Sequence, residues 1–220
     1  MNIINSQNLG EYLEKAYNLF YSDKSEEALC VLDDILRVDS TSMEVLCLKG
    51  FTLNKIDKYK EATHVFNKAL KIKQKDTEVS YVGASCYGNG CALNGLGKYN
   101  EAVFMFDRAI KDALKNDIDK EVLYSIYYAK GSSLDSLGRR NEALESFNTA
   151  LEITQKIGAK ETIYYKRGIV LEELGSFQEA LESYNQVLTG TRGDTELVSD
   201  TEEQIALIEN KIKNKQKCNV

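Results

Sequence analysis

Asp57-Lys-Tyr-Lys-Glu-Ala62 and Gly97-Lys-Tyr-Asn-Glu-Ala102 are two copies of one phrase. It returns as Asp23-Lys-Ser-Glu-Glu-Ala28, Gly138-Arg-Arg-Asn-Glu-Ala143 and Gly175-Ser-Phe-Gln-Glu-Ala180. Each copy follows one apolar stretch and precedes another. The closing alanines lie 34, 40, 41 and 37 residues apart along the chain. Repetition at this period marks a stack of supersecondary units. Asp or Gly at the head of the phrase ends one helix and turns the chain, because glycine takes a left-handed conformation without steric cost.

With the first residue of each unit as position 1, Leu9, Met43, Gly83, Tyr124 and Glu161 fall in register. Position 8 is then small throughout: Ala16, Gly50, Gly90, Gly131 and Gly168. Position 11 is leucine at 19, 53, 93, 134 and 171, and position 20 is the phrase's alanine. Position 24 is Leu32, Phe66, Phe106, Phe147 and Tyr184, and position 27 is Ile35, Ala69, Ala109, Ala150 and Val187. Small residues let two antiparallel helices approach, and large ones at 11 and 24 fill the space beside the contact.

On these positions the chain resembles the tetratricopeptide repeat family over roughly residues 9–194. The resemblance implies an all-α, right-handed superhelix (an α-solenoid) of five helix–turn–helix units, 9–42, 43–82, 83–123, 124–160 and 161–194, after a short extension, 1–8. One unit cannot bury its own apolar face, so the units are expected to form one continuous array. The family often has proline at position 32. Here stand Ser40, Gln74, Leu114, Gln155 and Arg192, and the chain has no proline. Without that breaker, and with the longer periods, elongated helices are expected near 99–115 and 118–137. After Gly190 and Gly193, the residues Leu197, Ile205, Ile208 and Ile212 share one helical face. They predict a capping helix over 195–217, followed by a tail, 218–220.

Composition narrows the function classes. Net charge is −6 and pI about 5.1, which disfavours a general nucleic-acid binder. Lys211, Lys213, Lys215 and Lys217 form the one obvious basic cluster, read as a solvated helix end or a local patch. The N-terminus has no secretory signal pattern and no run of 18 apolar residues exists, so neither export nor a membrane span is expected. Cys30, Cys47, Cys86, Cys91 and Cys218 contain no CxxC pair and are expected to be reduced thiols of a cytoplasmic protein. His64 is the single histidine, and Cys86 and Cys91 fall on different faces of a helix, so no metal site is expected. No GxSxG or comparable nucleophile motif is present, and no catalytic residue or cofactor is assigned.

Gly83, Gly88, Gly90, Gly95 and Gly97 look like a phosphate loop, but no Lys-Ser/Thr follows either candidate pair and the stretch reads as helix. Gly90 serves packing and Gly97 the turn. Gly83, Gly88 and Gly95 mark either a soft helix or a place where a ligand backbone comes close.

In the family the first helices line the concave groove and partners dock there. The resemblance assigns to that groove Tyr17, Phe20, Tyr21, Phe51, Asn54, Tyr87, Asn94, Tyr128, Asp135, Tyr165, Ile169 and Glu172. Family members that grip a chaperone's C-terminal carboxylate use Lys and Asn where this chain has Leu13 and Tyr17, so such a tail is not the expected ligand. Tyr17, Phe20, Tyr21 and Phe51 make one end aromatic. Tyr87, Tyr128 and Tyr165 recur at position 5, while Asp135, Glu172 and Glu173 make the far end acidic. The implied role is a non-catalytic scaffold that holds an amphipathic peptide or helix, apolar at one end and basic at the other. The alternative use of the same groove is homo-oligomerisation. Either the tyrosines face the groove or they pack between helices.

Overall fold

The repeated phrase is the turn of a helical hairpin. Its first residue is left-handed in all five copies, with φ of 60° at Asp23, 58° at Asp57, 71° at Gly97 and Gly138, and 76° at Gly175. The following N–H reaches back to the position-11 leucine carbonyl: Lys24 to Leu19 (3.0 Å), Lys58 to Leu53 (3.0 Å), Lys98 to Leu93 (2.8 Å), Arg139 to Leu134 (2.9 Å) and Ser176 to Leu171 (2.9 Å). This closes the first helix. The carbonyl of that same residue then accepts from the phrase's alanine N–H and opens the second helix. The glutamate before the alanine sits in the second helix's first turn, where the helix dipole favours an anion. In three copies the basic residue of the turn pairs with that glutamate, as Lys24–Glu27, Lys98–Glu101 and Arg139–Glu142.

The computed structural model describes residues 8–72, 81–155, 157–190 and 195–217. Among these residues there are eleven helices and no strand. They are α1 (Leu9–Tyr21), α2 (Ser25–Val38), α3 (Met43–Lys55), α4 (Tyr59–Lys71), α5 (Tyr81–Gly95), α6 (Tyr99–Lys115), α7 (Lys120–Ser136), α8 (Arg140–Ile153), α9 (Ile157–Glu173), α10 (Phe177–Gly190) and α11 (Thr195–Lys217). The extension up to residue 7, Gln74, Arg192, Gly193 and the tail with Cys218 lie outside the described residues. The chain divides into two units, Met1–Ile118 and Asp119–Val220. Unit 1 holds α1 to α6 and unit 2 holds α7 to α11.

The longer helices of the middle repeats are present as α6 and α7, 17 residues each. A second left-handed stop replaces the missing proline after α6: Asp117 has φ 49°, and Ile118 N–H returns to the Ala113 carbonyl at 3.1 Å. Asp119 then caps α7 by accepting from Glu121 N–H at 3.0 Å. Helix α7 thus begins at Lys120, four residues before the register's Tyr124. After α2, Asp39 accepts from the Thr41 N–H and hydroxyl (2.9 and 2.8 Å), a turn that leads into the Ser42 cap of α3.

Each hairpin core is one ring over one glycine. A Cβ at Gly50, Gly90, Gly131 or Gly168 would lie 2.5, 2.6, 2.7 or 2.6 Å from the ring of Phe66, Phe106, Phe147 or Tyr184. All four rings are fully buried. The position-24 side chain therefore sits directly on position 8, not beside the helix contact. The first hairpin has Ala16 and the smaller Leu32 instead, both buried in one cluster. Two of the extra glycines of α5, Gly88 and Gly95, have the same cause, a neighbouring ring, where the sequence offered a soft helix or the close approach of a ligand. At Gly88 a Cβ would meet Phe66 at 2.2 Å, and at Gly95 it would meet Tyr59 at 2.5 Å. Gly83 yields to Asp112, whose Oδ2 accepts the Gly83 N–H at 3.0 Å and caps the start of α5 from α6.

Candidate functional site

In unit 1 the first-helix residues form two aromatic groups. Tyr17 and Tyr21 stack with centroids 6.4 Å apart, and Phe20 meets Tyr21 edge-on at 5.3 Å. Tyr21 is 75% exposed. Lys55 bridges from the next hairpin. Its Nζ lies 4.9 Å over the Phe20 ring, donates to the Phe20 carbonyl at 2.9 Å and pairs with Asp23 at 2.5 Å. In the second group, Phe51 packs edge-on against Phe66 at 5.3 Å and touches Tyr87, which in turn lies on Phe106 at 6.1 Å. Asn54 donates to the Gly88 carbonyl at 2.8 Å, tying α3 to α5, and Asn94 is half-buried.

Glu44 joins this face although the sequence reading passed it over. The Tyr17 hydroxyl donates to its Oε1 at 3.0 Å, and the Tyr81 hydroxyl bonds the same carboxylate. Burial first, and the Glu44 charge second, push the Tyr81 phenol up to about 12 and raise Tyr17 as well. Glu44 stands at position 2 of its unit, one helical turn from Cys47 at position 5, and that register place was the signal for it.

In unit 2 the position-5 tyrosines repeat the arrangement of Tyr87. Tyr128 lies on Phe147 at 6.0 Å and Tyr165 on Tyr184 at 5.9 Å, and both remain half-buried. Ile169 and Tyr165 pack against the cluster of Leu171, Ala180, Tyr184 and Ile208, which α11 completes with Ile205 and Ile212. The carboxylates are engaged internally. Lys211 pairs with Glu172 at 2.5 Å, the Tyr184 hydroxyl donates to Glu172 at 3.5 Å, and Arg140 pairs with Glu173 at 2.6 Å. Burial, and then the nearby Glu173, raise the Asp135 carboxyl above its usual range.

His64 is exposed on α4. Cys47, Cys86 and Cys91 are pushed up by burial, Cys47 and Cys91 to about 11, and so are poor nucleophiles at neutral pH. Among the described residues no group of three His, Cys, Asp or Glu could hold a metal ion, and no helix is long and apolar enough to cross a membrane.

Family models described as "Tetratricopeptide repeat" match residues 44–76 in unit 1 and 122–192 in unit 2. No curated protein matches the sequence. Solved structures match the fold at low identity. MamA 41-end from Desulfovibrio magneticus RS-1 is 20% identical with a TM-score of 0.67, covering 83% of this chain and 94% of that one. YrrB, described as a TPR protein with an unusual peptide-binding site, is 23% identical with a TM-score of 0.64, covering 87% and 90%. PilF of Pseudomonas aeruginosa is 16% identical with a TM-score of 0.70, covering 94% and 91%. With repeat models matched in both units and neighbours of the same fold, the chain is a tetratricopeptide-repeat protein.

Proposed function

We propose that this chain is a non-catalytic interaction scaffold that holds a peptide or helix of a partner protein against the first-helix faces of its repeats, in a reducing, cytoplasmic setting. The observation that carries this reading is the repeated tyrosine at position 5. Tyr87, Tyr128 and Tyr165 each rest one side on the position-24 ring of their own hairpin and keep part of the ring at the surface. A ring held rigid on one side and open on the other offers contact area at little entropic cost. Phe20, Tyr21 and Phe51 add apolar area in unit 1. The likeness to YrrB supports a peptide as the ligand class. Leu13 and Tyr17 stand where a carboxylate-gripping repeat needs Lys and Asn, so the ligand is not a chaperone's C-terminal tail.

The partner is amphipathic, with apolar residues for the rings and basic residues for the carboxylates. Lys211 and Arg140 already hold Glu172 and Glu173, so basic residues at that end must exchange with internal cations. The Arg140–Glu173 pair is exposed on both sides and contributes only about 0–1 kcal/mol, whereas Glu172 is 15% exposed and keeps the Tyr184 hydroxyl, so the exchange is easiest at Glu173 and the rings dominate affinity. Replacing Tyr87, Tyr128 and Tyr165 together with Ala is expected to cut recovery of the native partner by about tenfold or more while helicity is kept. Unchanged recovery by an intact fold would contradict the reading. Tyr21 favours a second use of this face, since a ring 75% exposed beside Phe20 suits a second copy of the chain. Light scattering across a concentration series separates the two, because only self-assembly gives dimers without a ligand.

A further inference from the structure

Between the second helices α4 and α6 of unit 1, with α5 as its floor, lies a pocket of about 370 Å³. Thr63 and Asn67 line it from α4, Asn89 and Leu93 from α5, and Phe104 and Met105 from α6. The repeat register explains why it is open. Asn89 holds position 7, where the other hairpins carry Lys15, Lys49, Lys130 and Arg167. At the junction of the first two hairpins, Lys49 reaches Asp33, the position-25 residue of the preceding hairpin, and the lysine side chain is only 20% exposed. At the next junction the same two positions are Asn89 and Asn67, and Asn89 Nδ2 donates to Asn67 Oδ1 at 3.1 Å. Asparagine supplies neither the lysine's stem nor its charge. Asn89 is 1% exposed, yet its Oδ1 has no hydrogen-bond partner, and neither has the buried Oγ1 of Thr63. Folded proteins seldom leave buried acceptors open.

We propose that this pocket takes a lysine side chain of a partner protein, which supplies in trans the ammonium and stem that Lys49 supplies from within at the preceding junction. The polar lining is rich in acceptors: Asn89 Oδ1, Thr63 Oγ1, the second lone pair of Asn67 Oδ1 and, at the rim, the Glu101 carboxylate. Leu93 and Met105 accept the methylene stem, and the Phe104 ring, 60% exposed, offers its face to a cation. Lys98 competes for Glu101 only through an exposed pair at 3.4 Å. The net charge of −6 favours a cationic ligand.

The test uses the full chain, labelled with ¹⁵N and with ¹³C at methionine methyls. The two probes are N-acetyl-lysine methylamide and N-acetyl-norleucine methylamide, which keeps the stem and lacks the ammonium. The lysine probe is expected to shift the Asn89 and Asn67 side-chain amides and the Met105 methyl saturably, with a Kd of about 1 mM. It should bind at least about tenfold more tightly than the norleucine probe. Asn89→Lys fills the pocket from within and is expected to abolish these shifts. Phe104→Ser, at an exposed position, is expected to weaken them and serves if Asn89→Lys does not fold. The proposal is overturned by no saturable shift, by equal affinity for the two probes, or by binding that Phe104→Ser leaves unchanged.

Discussion

In unit 1 a carboxylate on the first-helix face is held by neutral phenols: Tyr17 and Tyr81 both bond Glu44. In unit 2 the comparable carboxylates, Glu172 and Glu173, are held by the cations Lys211 and Arg140. The difference matters for a ligand. A phenol donates a hydrogen bond but leaves the negative charge in place, while a cation cancels it. Among the described residues no lysine or arginine pairs with Glu44. Free negative charge therefore stands among the rings of unit 1, and the more acidic sequence of unit 2 is already neutralised in part. Hydrogen bonds from phenols are little affected by salt, whereas exposed ion pairs are screened.

What the two units share should respond most strongly. Phe106→Ala and Phe147→Ala each remove a buried ring seated on a glycine, and each is expected to cost about 3–5 kcal/mol by denaturant unfolding. Similar losses at both sites would show that the hairpin core is common property; a loss below about 1 kcal/mol at either would break that equivalence.

Alkaline pH addresses unit 1 next. The Tyr81 phenol is raised from 10.0 to about 12, so its contribution is complete below pH 10 and is lost as pH rises toward 12. Tyr17 is raised in the same direction and for the same causes. The stability gap between the parent chain and Tyr17→Phe/Tyr81→Phe is expected to shrink across that interval, measured by unfolding at fixed ionic strength. A gap that is flat between pH 9 and 12 would mean the phenols do not hold Glu44.

The smallest effect belongs to unit 2. Lys211→Ala is expected to cost about 1 kcal/mol or less at low salt, and most of the difference should be lost near 1 M salt, because half of the lysine is exposed although Glu172 itself is only 15% exposed. A cost that persists at high salt would show that the pair is sheltered and that the two faces are less different than their chemistry suggests.

Much of this was readable from residues alone, because the repeat is written in local chemistry. The turn phrase names its left-handed residue, its alanine and its first-turn glutamate. The exchange of Gly–Phe for Ala16–Leu32 is visible as soon as positions 8 and 24 are aligned. What could not be read depends on contacts between helices distant in sequence. Gly83 answers Asp112 and Gly95 answers Tyr59, and no spacing rule brings those partners together. Glu44 meets Tyr81 from the following hairpin, so its role appears only when neighbouring units are in place. Asn89 stands out in the register as the lone uncharged residue at position 7, but its meaning waits on the geometry of Lys49 and Asp33.

Site-specific photo-crosslinking in the native cell tests the scaffold claim most directly. A benzophenone amino acid is placed in turn at Tyr21 and Tyr87 on the first-helix face and at Glu26, exposed on α2. The account predicts one and the same partner joined at Tyr21 and Tyr87 and none at Glu26. Partner capture at Glu26 alone, or equally at all three positions, would contradict it.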